Sequence, residues 1–190
     1  VLMGGTSAER DVSLKTGKAV MKACLELGYE AKPLDFNGRY EYFLNELQYS
    51  DIVFNALHGT VGEDGTIQSW LDKNNINYTG SGSYASRSCM DKNESKKIVR
   101  KNNYLTPEWT TIDNNDTIIT KEITRSIDFP CIVKPNSQGS TFGLSIVNDK
   151  IELMRAIELA GKYDDITLIE EYIVGREITV GILGNKALPI

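Results

Sequence analysis

Ile132-Val133-Lys134-Pro135-Asn136-Ser137-Gln138-Gly139-Ser140-Thr141-Phe142-Gly143 is the stretch on which the reading of this chain turns. An apolar run from Cys131 to Val133 reads as a buried strand with a lysine at its end, and a second apolar run, Leu144 to Val147, follows the loop. Glycine has no Cβ, so a loop rich in Gly, Ser and Asn lets backbone N–H groups approach an anion, and Lys134 adds a fixed positive charge beside it. In a Walker A loop the lysine follows the glycines and a helix comes next. Here the lysine precedes them and a strand comes next. The segment reads either as a strand–loop–strand flap over a phosphate or as a plain hairpin connection.

Upstream, strand and helix signals alternate, which predicts a parallel sheet with crossovers, a Rossmann-like α/β arrangement. Val1 to Met3 run into a glycine turn, and a helix is expected from Ser13 to Leu27 on the spacing of Leu14, Val20, Met21, Cys24 and Leu25, closed by Gly28. Glu30 to Leu34 and Ile52 to Leu57 are expected strands, Tyr40 to Leu47 a short helix, Thr66 to Lys73 a helix and Asn77 to Thr79 a strand. Gly80 to Ser83 reads as a flexible break and a domain boundary. Beyond it the rhythm is α+β: a helix from Asp91 to Asn102 with Ile98 and Val99 inward, a strand from Pro107 to Ile112, a helical stretch from Ile118 to Arg125, then the flap strands. A helix from Lys150 to Ala160 is expected, its core face lying among Ile151, Leu153, Met154, Ile157, Leu159 and Ala160; strands from Ile166 to Glu171 and Glu177 to Leu183 close the chain, with a tight turn at Gly184-Asn185.

The bulk numbers set bounds. At 190 residues, 41% hydrophobic and 25% charged, the chain can form one large or two small globular domains. A net charge of −5 argues against non-specific nucleic-acid binding, though not against a local basic pocket. No apolar run is long enough to cross a bilayer, and the opening residues carry no signal-peptide pattern. Cys24, Cys89 and Cys131 are widely spaced, two of them in apolar surroundings, and are expected as free thiols of a reducing cytoplasm. A single histidine, His58, leaves no His-rich zinc site, and no metal-ligand set is read in the chain. Both ends read as cut within strands, so a fragment is expected.

Several side chains fit a chemical role beside a bland one. Glu9 follows the first glycine turn, where a carboxylate either caps the helix or faces the crevice and holds an ammonium group. His58 and Glu63 share the loop His58-Gly59-Thr60-Val61-Gly62-Glu63-Asp64-Gly65 at the carboxyl end of a buried strand, where open parallel sheets place ligands. Lys92 and Lys134 are either solvated or hold nucleotide phosphates as point charges. Glu170-Glu171-Tyr172-Ile173, with Glu177 beyond, is either a solvated strand end or an adenine-reading edge, in which backbone groups pair with the base and Glu177 takes the ribose hydroxyls.

Taken together, these motifs resemble the D-alanine–D-alanine ligases. The resemblance rests on Gly4-Gly5-Thr6-Ser7-Ala8-Glu9-Arg10-Asp11-Val12-Ser13, Ala56-Leu57-His58-Gly59 through Thr66, Tyr78 to Gly82, Met90-Asp91-Lys92, Val133-Lys134-Pro135 with Gly139-Ser140-Thr141, and Ile169 to Ile173 with Gly175-Arg176-Glu177, in that order along the whole chain. It implies an ATP-grasp enzyme of cell-wall synthesis. An N-terminal substrate domain would span 1–84, a central ATP-grasp subdomain 85–170, and a truncated further subdomain would begin at 171–190. ATP would phosphorylate one D-alanine, and the amine of a second would displace the phosphate. By analogy Glu9 binds the first ammonium and Ser140 bonds to Glu9 to orient the flap. His58 and Glu63 lie by the substrate. Lys92, Lys134, Ser140 and Thr141 surround the phosphates, and Glu170, the backbone at Glu171 and Ile173, and Glu177 hold adenosine.

The resemblance further implies Mg2+ ligands in a part this chain does not contain, so the piece alone is expected to be inactive. It also implies a homodimer in the cytoplasm. Thr141 stands where a second serine is common, and Gln138 where an acid is. Rival readings are a D-alanine–D-lactate or D-serine ligase, an inactive nucleotide- and D-alanine-binding remnant, and another ATP-grasp enzyme.

Overall fold

A computed structural model describes residues 1–116 and 126–190; the expected helix at Ile118 to Arg125 lies outside the described residues. In the first half, strand β1 (Leu2–Gly4) pairs in parallel with β2 (Leu34–Phe36). On its other side the chain at 53–56 runs parallel to β1: Leu2 N–H donates to the Phe54 carbonyl at 2.9 Å and Ala56 N–H to the Leu2 carbonyl at 2.8 Å. Val53 and Thr79 extend the ladder outward through Val53 N–H to Asn77 O (2.8 Å) and Thr79 N–H to Val53 O (2.9 Å). The parallel sheet read from the sequence is present. Its third and fourth members are single bridges, because Asn55 turns its side chain to Leu57 N–H and the Gly62 carbonyl and leads the chain into the loop.

The expected strand at Glu30 to Leu34 lies further along, at Leu34–Phe36. Pro33 has no N–H to donate, and the partner strand begins only at Leu2. Helix α1 (Arg10–Glu26) ends as expected: Gly28 sits at φ +81, with Tyr29 N–H on Cys24 O and Gly28 N–H on Leu25 O. Its buried residues are Ser13 and Gly17 rather than the apolar set, and Leu25 is exposed. Gly17 permits this close approach, since a Cβ there would lie 2.5 Å from that of Met3. After a 3-10 turn (Tyr40–Tyr42) come α2 (Leu44–Gln48) and α3 (Thr66–Lys73). Leu2, Phe36, Val53, Ile67 and Leu71 form the first core, with Tyr40, Phe43 and Trp70 packed against it.

Helix α4 (Ser83–Met90) begins where only a flexible break was read, and α5 (Lys92–Lys101) follows at once, capped by Asp91 accepting from Glu94 N–H. The second half is an antiparallel sheet in the order β3 (Trp109–Asp113), β6 (Ile166–Glu171), β4 (Cys131–Pro135), β5 (Ser145–Val147). Helix α6 (Lys150–Ala160) covers one face through Leu153, Ala156, Ile157 and Ala160, a spacing of one helical stripe. Of the expected set Ile151, Met154 and Leu159 lie outside that stripe and are exposed. Ile112, Cys131, Val133, Val147 and Ile169 meet α6. Strand side chains alternate, so Trp109, Glu170, Ile132 and Lys134 stand on the opposite face, in the register Trp109↔Glu170 and Ile132↔Glu170. The expected strand at Glu177 to Leu183 is reduced to β7 (Ile182–Leu183), which turns through Gly184 at φ +61 into β8 (Lys186–Ala187). Cys131 is buried, Cys24 half-buried and Cys89 exposed, so only one thiol is fully inside. No described helix is long and apolar enough to cross a membrane.

Candidate functional site

Glu9 occupies the cap position of α1 but makes no cap bond. Its side chain, in a residue only 6% exposed, accepts instead from the Ser140 hydroxyl on the flap. The side chain does not cap the helix but faces the flap, which is thereby tied to the first turn of the chain. The corner beneath is held by two serines. Ser7 accepts from Glu9 N–H at 3.2 Å and donates to the His58 carbonyl at 2.7 Å. Fully buried Ser13 accepts from Gly4 N–H at 2.8 Å and donates to the Ala56 carbonyl at 2.7 Å. These bonds bring the glycine turn and the His58 loop side by side.

Within that loop, His58 Nε2 lies 3.1 Å from Thr16 Oγ1, and His58 Nδ1 lies 3.7 Å from Glu63 Oε1. Glu63 also accepts from Gly59 N–H at 2.9 Å. A cavity of about 710 Å³ opens beside them, lined by Thr16, His58, Glu63, Ser86, Cys89 and Gly139 among others. Gly59 sits at φ +67, and a Cβ there would lie 2.5 Å from Glu9 Oε2. Gly59→Ala is therefore expected to push the Glu9 carboxylate away from Ser140 at a cost of about 1–2 kcal/mol in backbone strain. Faster hydrogen exchange in peptides covering 138–142 would show the release of the flap; unchanged exchange would contradict it.

Lys92 roots the flap. Its ammonium donates to the Gln138 carbonyl at 2.6 Å and the Asn136 carbonyl at 3.2 Å, and Asn93 N–H donates to Asn136 Oδ1 at 2.9 Å. Two of the three ammonium protons are thus committed and one is left for an anion. Burial, then the neighbouring Lys134 charge, pushes the Lys92 ammonium below the usual lysine range. Beyond Gly139 the backbone enters the left-handed region at Ser140 (φ +51) and Thr141 (φ +65), a conformation that non-glycine residues hold only when neighbours impose it.

At the other root of the flap, Lys134 donates to Glu170 Oε1, and Lys96 Nζ lies 2.7 Å from Glu170 Oε2. Burial works to raise the Glu170 pKa, but the bonds from Lys134 and Lys96 outweigh it and hold the carboxyl below its ordinary range. Lys96 also donates to Thr106 Oγ1 at 2.8 Å and lies 5.2 Å from the centre of the Trp109 ring. Sequence periodicity turned Ile98 inward; the structure leaves Ile98 36% exposed and Lys96 8% exposed. The available signal was the i, i+4 spacing from Lys92, which puts both lysines on one helix face. Glu171 at the end of β6, and Ile173 and Glu177 beyond it, are exposed, and Glu171 N–H donates to the Glu108 carbonyl at 2.9 Å. Among the described residues no group of three or more His, Cys, Asp or Glu side chains is placed to hold a metal ion.

Two family models match the chain: D-ala D-ala ligase N-terminus over residues 39–81 and D-ala D-ala ligase C-terminus over residues 98–190. A D-alanine--D-alanine ligase of Syntrophotalea carbinolica is 44% identical over 191 residues, covering 100% of this chain and 61% of that protein. A crystal structure of the Bacillus anthracis D-alanine--D-alanine ligase superposes with a TM-score of 0.89 at 39% identity, over 99% of this chain and 61% of that one. The same enzyme complexed with ATP gives 0.87 at 38% identity, over 99% and 62%. The chain therefore spans about three fifths of the length of the relatives it matches.

Proposed function

The chain belongs to the D-alanine–D-alanine ligase family, and from that membership we propose that it supplies the first-substrate and nucleotide sites of an ATP-dependent D-alanine–D-alanine ligase. The observation that carries the proposal is the Ser140–Glu9 bond, which joins the phosphate flap to the ammonium-binding corner so that two substrates can meet at one place. The division we propose is 1–84 for the substrate domain, 85–170 for the central nucleotide subdomain and 171–190 for the start of the next.

The chemistry follows from charge placement. The Glu9 carboxylate takes the ammonium of the first D-alanine, leaving its carboxylate toward His58 and the flap. That carboxylate oxygen attacks the γ-phosphorus of ATP, the bond to the bridging oxygen breaks, and an acyl phosphate and ADP form. Lys92 and Lys134 stabilise the transferred phosphoryl as fixed cations at the two roots of the flap. The neutral amine of a second D-alanine then attacks the acyl carbon, inorganic phosphate leaves, and the amine's proton is lost as the D-Ala-D-Ala peptide bond of a peptidoglycan precursor forms. Glu170, the backbone at Glu171 and Ile173, and Glu177 hold adenosine, with Glu177 taking the ribose hydroxyls. The relative complexed with ATP supports the nucleotide assignment. The three free cysteines support a cytoplasmic setting, and exposed Val12, Leu25 and Tyr29 on and just after α1 support a homodimer.

The test is binding. Calorimetry should show saturable ATP binding, and NMR should show D-alanine, not L-alanine, shifting Glu9, His58 and Glu63. Lys134→Met should cost about 2 kcal/mol, roughly thirtyfold in ATP affinity, the loss of one charged hydrogen bond. ATP binding with no response to D-alanine would replace the ligase reading with a general nucleotide-binding one.

A further inference from the structure

Glu170 holds two lysines when the proposed nucleotide needs one of them. Each Glu170 oxygen has its own ammonium, Lys134 on Oε1 and Lys96 on Oε2. The side chains of Lys96 and Glu170 are each 10% exposed and that of Lys134 is 20% exposed, so the group is largely cut off from water. A buried carboxylate stripped of its only cation is strongly disfavoured. If Lys134 were the sole partner, its departure toward a phosphate would strand Glu170, and that penalty would be subtracted from nucleotide affinity.

The two lysines differ in freedom. Lys134 stands at the end of β4, where the flap begins. Lys96 is fixed: it also donates to Thr106 Oγ1, and Trp109, whose ring it overlies, is itself pinned by donating to Asn93 Oδ1 at 2.9 Å. Lys96 cannot follow a phosphate without abandoning Thr106 and the ring.

We propose that Lys96 is a positioning residue for the nucleotide: it keeps the Glu170 carboxylate paired and in place while Lys134 transfers from Glu170 to a phosphate. Resting on the nucleotide reading above, this makes Lys134 an exchangeable partner and Lys96 a permanent one. Phosphate binding then becomes an exchange of one anion for another at Lys134. Adenosine, which has no phosphate, leaves Lys134 where it is.

The test compares ATP with adenosine by calorimetry on the full chain. Lys96→Met is expected to weaken ATP about tenfold more than it weakens adenosine, because only ATP draws Lys134 away. Lys96→Arg, which keeps the charge, should recover most of that difference. An equal loss for both ligands is what a merely structural role gives, and it would overturn the assignment while leaving the nucleotide site standing. No saturable ATP binding by the parent chain would overturn the nucleotide reading and the assignment with it. Should Lys96→Met fail to fold, the parent chain labelled with 15N-lysine decides the matter. On addition of ATP the Lys134 Nζ signal should move and that of Lys96 should stay; both moving, or neither, would sink the proposal.

Discussion

Glu170→Gln is expected to lower the unfolding free energy by about 3 kcal/mol at neutral pH, because it leaves Lys96 and Lys134 facing each other with no anion between them. The carboxylate is the only acid in this group, and its side chain is 10% exposed. The amide can accept from one lysine but cannot offset the charge of either. The same group predicts a pH dependence. The folded-state pKa of Glu170 lies below the ordinary value of 4.5, since the hydrogen bonds from Lys134 and Lys96 outweigh burial. A depressed carboxyl contributes stability that is fully present above the unfolded value and is lost as pH falls through the folded one. The gap between parent and variant should therefore be constant from pH 7 down to about 5 and shrink as pH falls below 4.5. Urea unfolding of both proteins across that range measures it; a gap that widens toward acid would contradict the ion-pair account.

Gly65→Ala should be about as damaging, for a different reason. Gly65 precedes α3 at φ +84, and a Cβ there would lie 2.3 Å from the Ser83 carbonyl oxygen and 3.2 Å from Arg87 N–H, both backbone atoms of α4. Backbone cannot swing aside as a side-chain end can, so left-handed strain of about 1–2 kcal/mol adds to displacement of a helix, roughly 3 kcal/mol together. For a chain of this size that is a fall of about 10 °C in Tm. Gly28→Ala is the control: φ is +81, but nothing lies within 4 Å of the added atom. Its cost should be strain alone, about 1 kcal/mol. Equal losses at the two positions would show that contact with α4 does not matter.

Much of the fold was legible because its signals are local. Thr66–Lys73, Lys150–Ala160 and Ile166–Glu171 fall on their expected residues, each being a run with one clear period and a marked end. Helix α4 was not legible. Ser83, Ser86 and Ser88 are indifferent helix formers, and it buries no residue completely, so no apolar stripe announces it. Lys96 escaped for a related reason: hydrophobic periodicity ranks charges as outward, and its i, i+4 spacing from Lys92 points to a shared helix face without saying that Glu170 lies opposite. At Glu9 the local pattern by itself favoured a cap over a crevice. The resemblance to ligases favoured the crevice, and the geometry supplies the physical reason in the partner on the flap.

That partner stands 131 residues further along the chain. On a ribosome adding residues at ordinary rates, roughly ten seconds separate the appearance of Glu9 from that of Ser140. During that interval the parallel sheet can form around Leu2, Phe36 and Val53 from residues already made, with Glu9 left facing water and free of its later tether. The corner around Glu9 is thus built from residues made well before the flap that reaches over it.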